Sequence, residues 1–308
     1  MKKQSMRDAF WDGIYEEMKV DKDIVIVSAD FGAPSIDKIR MEFPKRYINV
    51  GIAEQNAILV ATGLVLRGKK PIVYAITQFI TLRCFEQIRI YPCGMNLPIT
   101  IVGVGAGACY WESGSTHHCL EQLSVMRTLP NLEIINCSSQ KMAADSVNYV
   151  VNSKRPVFLQ LDREVIHGIS TCGTNFEKGY EILSPKTKNF VVTTGVMTSE
   201  LLRNQAVIDR EFTIVDLFRI PINTDSFVDD VRNVSRLVTI EENTKKGGVG
   251  SYVMELLSEY DICVPVKCIG IDSTDGYEGS YNYGGREQIR KAYGMGKEII
   301  KKTIEDFF

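Results

Sequence analysis

The feature that most constrains this chain is the alternation of short β-rich apolar runs with stretches of helical period, interrupted once near the middle. Strand-like runs occupy 23–28, 46–50, 70–76, 97–104, 132–135 and 156–161. The first of them, Asp23-Ile24-Val25-Ile26-Val27-Ser28, is apolar throughout its interior, the pattern of a parallel strand covered on both faces. Met6, Ala9, Phe10, Ile14 and Met18 recur at helical spacing, 57–66 is an apolar run long enough for a buried helix, and 79–91 and 140–152 fit helices. Alternation of this kind builds a parallel sheet with right-handed crossovers. From 171 to 188 the chain turns polar and is punctuated by Gly and Pro, a linker pattern. Strand-like runs then resume at 190–194, 212–217, 236–240 and 264–269, with helical stretches near 199–208, 225–232, 249–259 and 286–306. The expected fold is α/β with two domains, each a mainly parallel sheet flanked by helices, over residues 1–180 and 181–308.

Composition narrows the functional classes. A chain of 308 residues has room for two domains with proper cores. Its net charge of −2, from 36 basic and 38 acidic residues, gives no electrostatic footprint for nucleic acid or a membrane surface. No apolar run approaches the ~20 residues of a membrane span, and the first residues lack the apolar core of a signal peptide. The eight cysteines (84, 93, 109, 119, 137, 172, 263 and 268) form no CxxC and lie mostly in apolar stretches, so they read as reduced, buried thiols. Histidines 117, 118 and 167 do not pair with them at finger-like spacing, which leaves no expected metal site on this chain. A cytoplasmic protein is expected.

Glu54 stands out. The run Val50-Gly51-Ile52-Ala53-Glu54-Gln55-Asn56-Ala57 places it where a strand hands over, through a tight glycine turn, to the apolar helix. A carboxylate flanked by apolar residues is costly unless it is paired. Two readings stay open at this point: a helix N-terminal charge favoured by the macrodipole, or a carboxyl held for proton work, its pKa raised by burial. Phe79, just past a strand end, is equally open as a core aromatic or as a platform for a flat heterocycle. The string Gly114-Ser115-Thr116-His117-His118, after Tyr110-Trp111, offers either surface histidines or an imidazole that hydrogen-bonds an oxygen-rich substrate.

Two glycine-rich strings are weaker. Gly103-Val104-Gly105-Ala106-Gly107-Ala108 follows a strand, but Ala108 stands where a dinucleotide fingerprint has its third glycine, and no clear helix follows. A loop that lets backbone approach something closely fits it better. Gly247-Gly248-Val249-Gly250 precedes a helix and could cradle an anion or merely pack two backbones together.

In order along the chain, Ser28-Ala29-Asp30 with Pro34-Ser35, Gly51-Ile52-Ala53-Glu54-Gln55-Asn56, Phe79 followed by Arg83-Cys84-Phe85-Glu86-Gln87, Gly114-Ser115-Thr116-His117-His118, Leu161-Asp162-Arg163-Glu164, and Thr239-Ile240-Glu241-Glu242-Asn243 with Gly247-Gly248-Val249-Gly250 resemble the transketolase family of thiamine diphosphate enzymes. The likeness is to its pyrimidine-binding and C-terminal domains and covers nearly the whole chain. 1-Deoxyxylulose-5-phosphate synthase and split transketolases made of two chains share the Gly51-Ile52-Ala53-Glu54-Gln55 string with Thr116-His117 downstream.

The resemblance implies that Glu54 hydrogen-bonds N1′ of the cofactor's aminopyrimidine, favouring the imino tautomer that removes the thiazolium C2 proton. A two-carbon ketol unit would pass from a ketose to an aldose. Phe79 matches the aromatic that stacks on the pyrimidine, and Asp30 and Arg83 fall on the cofactor side. His117 matches a contact to the substrate's hydroxyl or carbonyl, Arg163 a phosphate-binding guanidinium, and Ser35 a position near the sugar phosphate. The family's Gly-Asp-Gly magnesium and diphosphate motif does not occur in this sequence. The resemblance therefore implies an N-terminal partner subunit that holds Mg2+ and the diphosphate, with this chain homodimerising within a heterotetramer that acts on small sugar phosphates. Ser113 replaces an acidic sugar contact of full-length transketolases, and Gly105 replaces a second histidine. Losing two polar partners should change substrate discrimination by several kcal/mol. A 1-deoxyxylulose-5-phosphate synthase-like enzyme, a 2-oxoacid dehydrogenase beta subunit and a non-catalytic α/β scaffold subunit are the other readings.

Overall fold

The structure is a computed structural model that describes residues 4–166, 173–203, 212–272 and 278–308. It divides into two units: Met1–Ala106 with Val125–Thr174, and Gly107–Ser124 with Asn175–Phe308. The second unit thus takes in residues 107–124, which a single cut near 180 leaves in the first domain.

The apolar runs of the first unit become strands β1 (Ile24–Ser28), β2 (Tyr47–Asn49), β3 (Lys70–Ile76), β4 (Thr100–Val104), β5 (Glu133–Asn136) and β6 (Val157–Leu161), in the spatial order β5-β6-β4-β3-β1-β2. Every pairing among them is parallel. Strands β1, β4, β5 and β6 are buried along their whole length, as helices on both faces require. Helix α1 (Met6–Val20) turns Phe10, Trp11, Ile14 and Met18 inward, and its Trp11 meets Tyr74 of β3 edge-on at 4.8 Å. Ser5 caps this helix through the backbone N–H of Asp8. Helix α2 (Pro34–Glu42) starts on a proline, whose fixed φ suits a first turn. Helix α3 (Glu54–Leu66) follows the Gly51 turn, where φ is +73°. The stretch expected as one helix over 79–91 is broken into α4 (Thr77–Thr81), α5 (Phe85–Ile88) and a π turn at Arg89–Cys93 containing Pro92, which cannot donate to a regular ladder. Helix α6 (Gln122–Met126) leads back toward β5, and α7 (Gln140–Asn152) packs against α1.

In the second unit, β7 (Tyr180–Ile182), β8 (Asn189–Thr193), β9 (Thr213–Leu217), β11 (Arg236–Thr244) and β12 (Val266–Ile271) form a sheet in the order β12-β11-β8-β9-β7. All pairs are parallel except β7 with β9. Strand β7 lies inside the stretch expected as linker: it is too short to carry a strand signal, and residues 171–172 of that stretch lie outside the described residues. A two-residue strand, β10 (Arg219–Ile220), precedes α9 (Thr224–Val231). Helix α8 (Val196–Arg203) overlaps the helix expected over 199–208, of which 204–208 lie outside the described residues. Helix α10 (Val249–Glu259) is as expected, whereas the helix expected over 286–306 is two, α11 (Arg286–Ala292) and α12 (Lys297–Phe307), parted at Gly294 and Gly296. Strand β11 continues four residues past the apolar run that announced it, through Glu241, Glu242, Asn243 and Thr244, all of them buried. Among the described residues no helix is long and apolar enough to cross a membrane. Cysteines 84, 93, 109, 119 and 137 are buried free thiols, but Cys263 is exposed; Cys172 and His167 lie outside the described residues.

Candidate active site

In the first sheet the chain steps from β1 outward to β2, then crosses back to β3 and on to β4. The order reverses between β1 and β3, and open α/β sheets place ligands at the carboxyl ends of strands flanking such a reversal. Asp30 follows β1, Thr77 and Phe79 follow β3, and Glu54 follows the turn after β2. Asp30 takes a left-handed φ of +54° and is fixed there by Asn49, whose side-chain oxygen accepts from the Asp30 and Gly51 amides while its Nδ2 donates to the Asp30 carboxylate at 2.9 Å. One asparagine thus ties the β1 loop to the turn that launches α3.

Glu54 is the first residue of α3 and only 3% exposed. It stands at a helix N-terminus, and it is buried. It is also paired, which its apolar flanks did not announce: Arg83 Nη1 donates to Glu54 Oε2 at 2.8 Å. The same guanidinium lies over the Phe79 ring, 4.4 Å from its centroid, and Gln55 Nε2 donates to the Arg83 carbonyl at 3.0 Å. The pair is asymmetric, because the Arg83 side chain is 46% exposed and Glu54 is not. Phe79 is half-buried. Beneath the pair, burial and then the Glu54 charge push the Cys84 thiol up to about 12, so it stays protonated. Thr77 is fully buried and its hydroxyl has no hydrogen-bond partner; a Cβ at Gly103 of β4 would stand 2.9 Å from it. The Gln78 and Gln87 side-chain oxygens are likewise buried without partners.

Arg83 therefore touches both Glu54 and Phe79, and Asp30 follows β1 at the carboxyl edge of the same sheet. Arg163 is half-buried in the loop after β6, next to Asp162, whose carboxylate accepts from the Glu164 amide at 2.8 Å. Ser35, in the first turn of α2, lies near the Asp12 carboxylate of α1 and, after Lys38, favours its charged form.

His117 belongs to the second unit. Its loop leaves and returns through an antiparallel bridge, with Gly107 and Cys119 exchanging hydrogen bonds of 2.9 and 3.0 Å. Within the loop the His117 and His118 amides donate to the Gly114 carbonyl at 3.0 and 3.1 Å. His117 is half-buried, with Nδ1 3.0 Å from the Thr116 hydroxyl and its ring 6.1 Å from that of Tyr110. His118 is turned inward; burial pushes its pKa down, against the opposing pull of the Tyr110 carbonyl and the Glu242 charge.

Both glycine strings resolve into close approaches. Gly107, at φ +56°, lies on Glu242: a Cβ there would stand 2.7 Å from the Glu242 carbonyl oxygen and closer still to its carboxylate. The anion cradled by Gly247-Gly248-Val249-Gly250 is the chain's own Glu241, which accepts from the Val249 and Gly250 amides, each at 2.9 Å, at the N-terminus of α10. Glu242 takes two arginines from α11, Arg286 and Arg290, with Arg290 Nε at 2.6 Å and Arg286 Nε at 2.9 and 3.0 Å. The burial of Glu242 is outweighed by these two cations, which hold its carboxyl down at about 2. Reading the sequence missed this cluster. The signal available was the i, i+4 spacing of two arginines on one helix face.

Comparison with known proteins gives these features a context. The family description "Transketolase, pyrimidine binding domain" matches residues 2–167, and "Transketolase, C-terminal domain" matches 179–300. An apulose-4-phosphate transketolase subunit of Phocaeicola vulgatus is 28% identical over 312 aligned positions, covering 98% of this chain and 96% of the relative. The protein of the same name from Actinobacillus succinogenes is 30% identical, covering 90% of each. A solved structure titled "Split gene transketolase, inactive beta4 tetramer" superposes with a TM-score of 0.82 at 26% identity, over 99% of this chain and 98% of that one.

Proposed function

This chain belongs to the transketolase family, and on that premise we propose that it is the C-terminal subunit of a two-chain enzyme that moves a two-carbon ketol unit from a ketose phosphate to an aldose with thiamine diphosphate. The observation that carries the proposal is the match, along nearly their full length, to chains that are each named as a subunit of a transketolase. Consistent with it, the Gly-Asp-Gly motif for the diphosphate and Mg2+ does not occur in these 308 residues. A separate N-terminal subunit holding that motif, a heterotetramer containing two copies of this chain, and a cytoplasmic location complete the reading.

The residues present fit the pyrimidine half of the cofactor. A buried carboxyl, a half-exposed aromatic ring and buried polar atoms on Thr77, Gln78 and Gln87 without protein partners adjoin one sheet edge. When bound, thiamine diphosphate supplies an acidic thiazolium C–H whose conjugate base adds to ketose carbonyls. Glu54 then holds a proton at its carboxyl against a ring nitrogen, exchanging the Arg83 contact for it, and its burial keeps water from competing for that proton. Phe79 gives the ring a flat platform, and Asp30 bounds the same edge. His117 hydrogen-bonds a substrate hydroxyl or carbonyl, and the Arg163 guanidinium takes the sugar phosphate.

The test combines this chain with its partner subunit and follows ketol transfer from phosphorylated ketoses, starting with that for which the two bacterial relatives are named. Glu54→Ala should cost about 10²–10⁴-fold in kcat, the range for loss of a positioned proton carrier. Full activity of the variant, or activity of this chain without a partner, would overturn the proposal.

A further inference from the structure

The loop that presents His117 lies in sequence among the strands of the first domain, yet its base is seated on the second unit's sheet. The Leu120 carbonyl accepts twice from β11, from the Thr244 amide at 2.8 Å and from Asn243 Nδ2 at 3.3 Å. At the other foot, Gly107 rests on Glu242, one residue earlier in the same strand. The two feet are joined to each other by the Gly107–Cys119 bridge. Ser124, just past the loop, is touched by Gly247, where a Cβ would stand 3.1 Å from the serine Cβ. The tip is reached as well: the Ser115 hydroxyl lies 3.4 Å from the phenol oxygen of Tyr281.

The strand that makes these contacts is fixed from behind. Glu242 is held by Arg286 and Arg290, and Glu241 by the amides that open α10. Asn243 is 2% exposed, and its side-chain amide donates to the loop. A buried asparagine amide aimed at a loop carbonyl has no need to be there for the strand's own ladder, which runs on backbone groups.

We propose that Asn243, on a strand fixed by Glu242 and Glu241, is a positioning residue that sets the His117 loop, so that the C-terminal domain acts in substrate recognition through this contact. The proposal rests on the reading of His117 as a substrate contact. A loop hung from Gly107 and Leu120 keeps its histidine in register only while both feet stay on β11; losing one foot lets the imidazole move by more than a hydrogen bond tolerates.

The reconstituted two-subunit enzyme tests this with Asn243→Ala, Gly107→Ala, His117→Ala and the Asn243→Ala/His117→Ala double variant. Asn243→Ala should speed amide exchange across residues 107–120, and should lower kcat/KM about tenfold, the worth of one well-placed bond, chiefly through KM. Thiamine diphosphate affinity and the melting of the first domain should stay as in the parent. Gly107→Ala, which wedges the other foot, should do the same. In the His117→Ala background, Asn243→Ala should cost less than about twofold further, because it acts through that imidazole. A fully additive double variant, or unchanged exchange over 107–120, overturns the proposal while leaving the transketolase reading intact. If His117→Ala itself leaves kcat/KM unchanged, the substrate role of His117 falls and the functional half of this proposal falls with it, whatever the exchange data show.

Discussion

Replacing Glu242 with glutamine keeps the shape of the side chain and removes one buried negative charge from between two buried guanidinium groups. Arg286 and Arg290 are 7% and 6% exposed, so in the variant two buried guanidinium groups lose the carboxylate they share, although Arg290 keeps Glu287 at 4.0 Å. Breaking a buried ion pair from one side costs about 3–5 kcal/mol. The depression of the Glu242 carboxyl gives a second measure. From an ordinary 4.5 down to about 2, at about 1.4 kcal/mol per pH unit, the charged form is favoured in the folded state by roughly 3 kcal/mol. The two figures agree in order of magnitude. Because the folded value is the lower one, this stability is present above pH 4.5 and is lost as pH falls toward 2. Urea titrations of the parent and Glu242→Gln chains, followed by circular dichroism from pH 7 to about pH 2.5, should therefore show a gap of about 3 kcal/mol at neutral pH that narrows steadily below about 4.5. Titration of the other carboxylates is common to both proteins and cancels in the difference. A gap under about 1 kcal/mol at pH 7, or one that stays constant through the acid range, would show that the arginines do not depend on this charge and would refute the reasoning.

Glycine-to-alanine changes should have opposite signs at two positions. At Gly248, with φ at an ordinary −77°, a methyl group would press on the Glu241 carboxylate and stand 2.6 Å from the Thr244 carbonyl, so a loss of about 1–3 kcal/mol by urea titration is expected. At Gly63, inside α3 with open space around it, the same change should stabilise the isolated chain by roughly 0.5–1 kcal/mol. The thiols should separate by burial: Cys84 and Cys93, pushed up to about 12 chiefly by burial, stay unreactive to a disulfide reagent at pH 8, whereas Cys263→Ser removes one fast-reacting equivalent.

What could be seen from the sequence was whatever a local pattern determines. Strands β1, β3 and β6 are apolar because both faces are covered, and no neighbour had to be known to place them within a residue or so. Glu54 was conspicuous for the same reason, as a carboxylate without local company. Its partner could not be seen, since Arg83 arrives from 29 residues away, in the break between α4 and α5 of a stretch that the sequence suggested was one helix. Ser35 shows the reverse limit. Its place in a matching string says nothing of which way its hydroxyl faces, and the side chain lies near Asp12 of the neighbouring helix.

The largest miss, the end of β11, follows from a sound rule meeting an exception. Charged residues normally end a buried strand, because an uncompensated charge cannot be left in the interior. Glu241 and Glu242 are both inside because each has its own dedicated partners, and the strand geometry makes that possible. Successive side chains point to opposite faces of a sheet. Here β11 shifts register against β12 between Ile240 and Thr244, and within that shift Glu241 meets the α10 amides while Glu242 meets Arg286, Arg290 and the backbone of Gly107. Two identical residues side by side are thus a helix cap and a loop seat. The glycines show the same design from the other side: Gly107, Gly248 and Gly250 lie where these two carboxylates or their neighbours approach, and β11 can run on through charged residues only because those backbones carry no side chain.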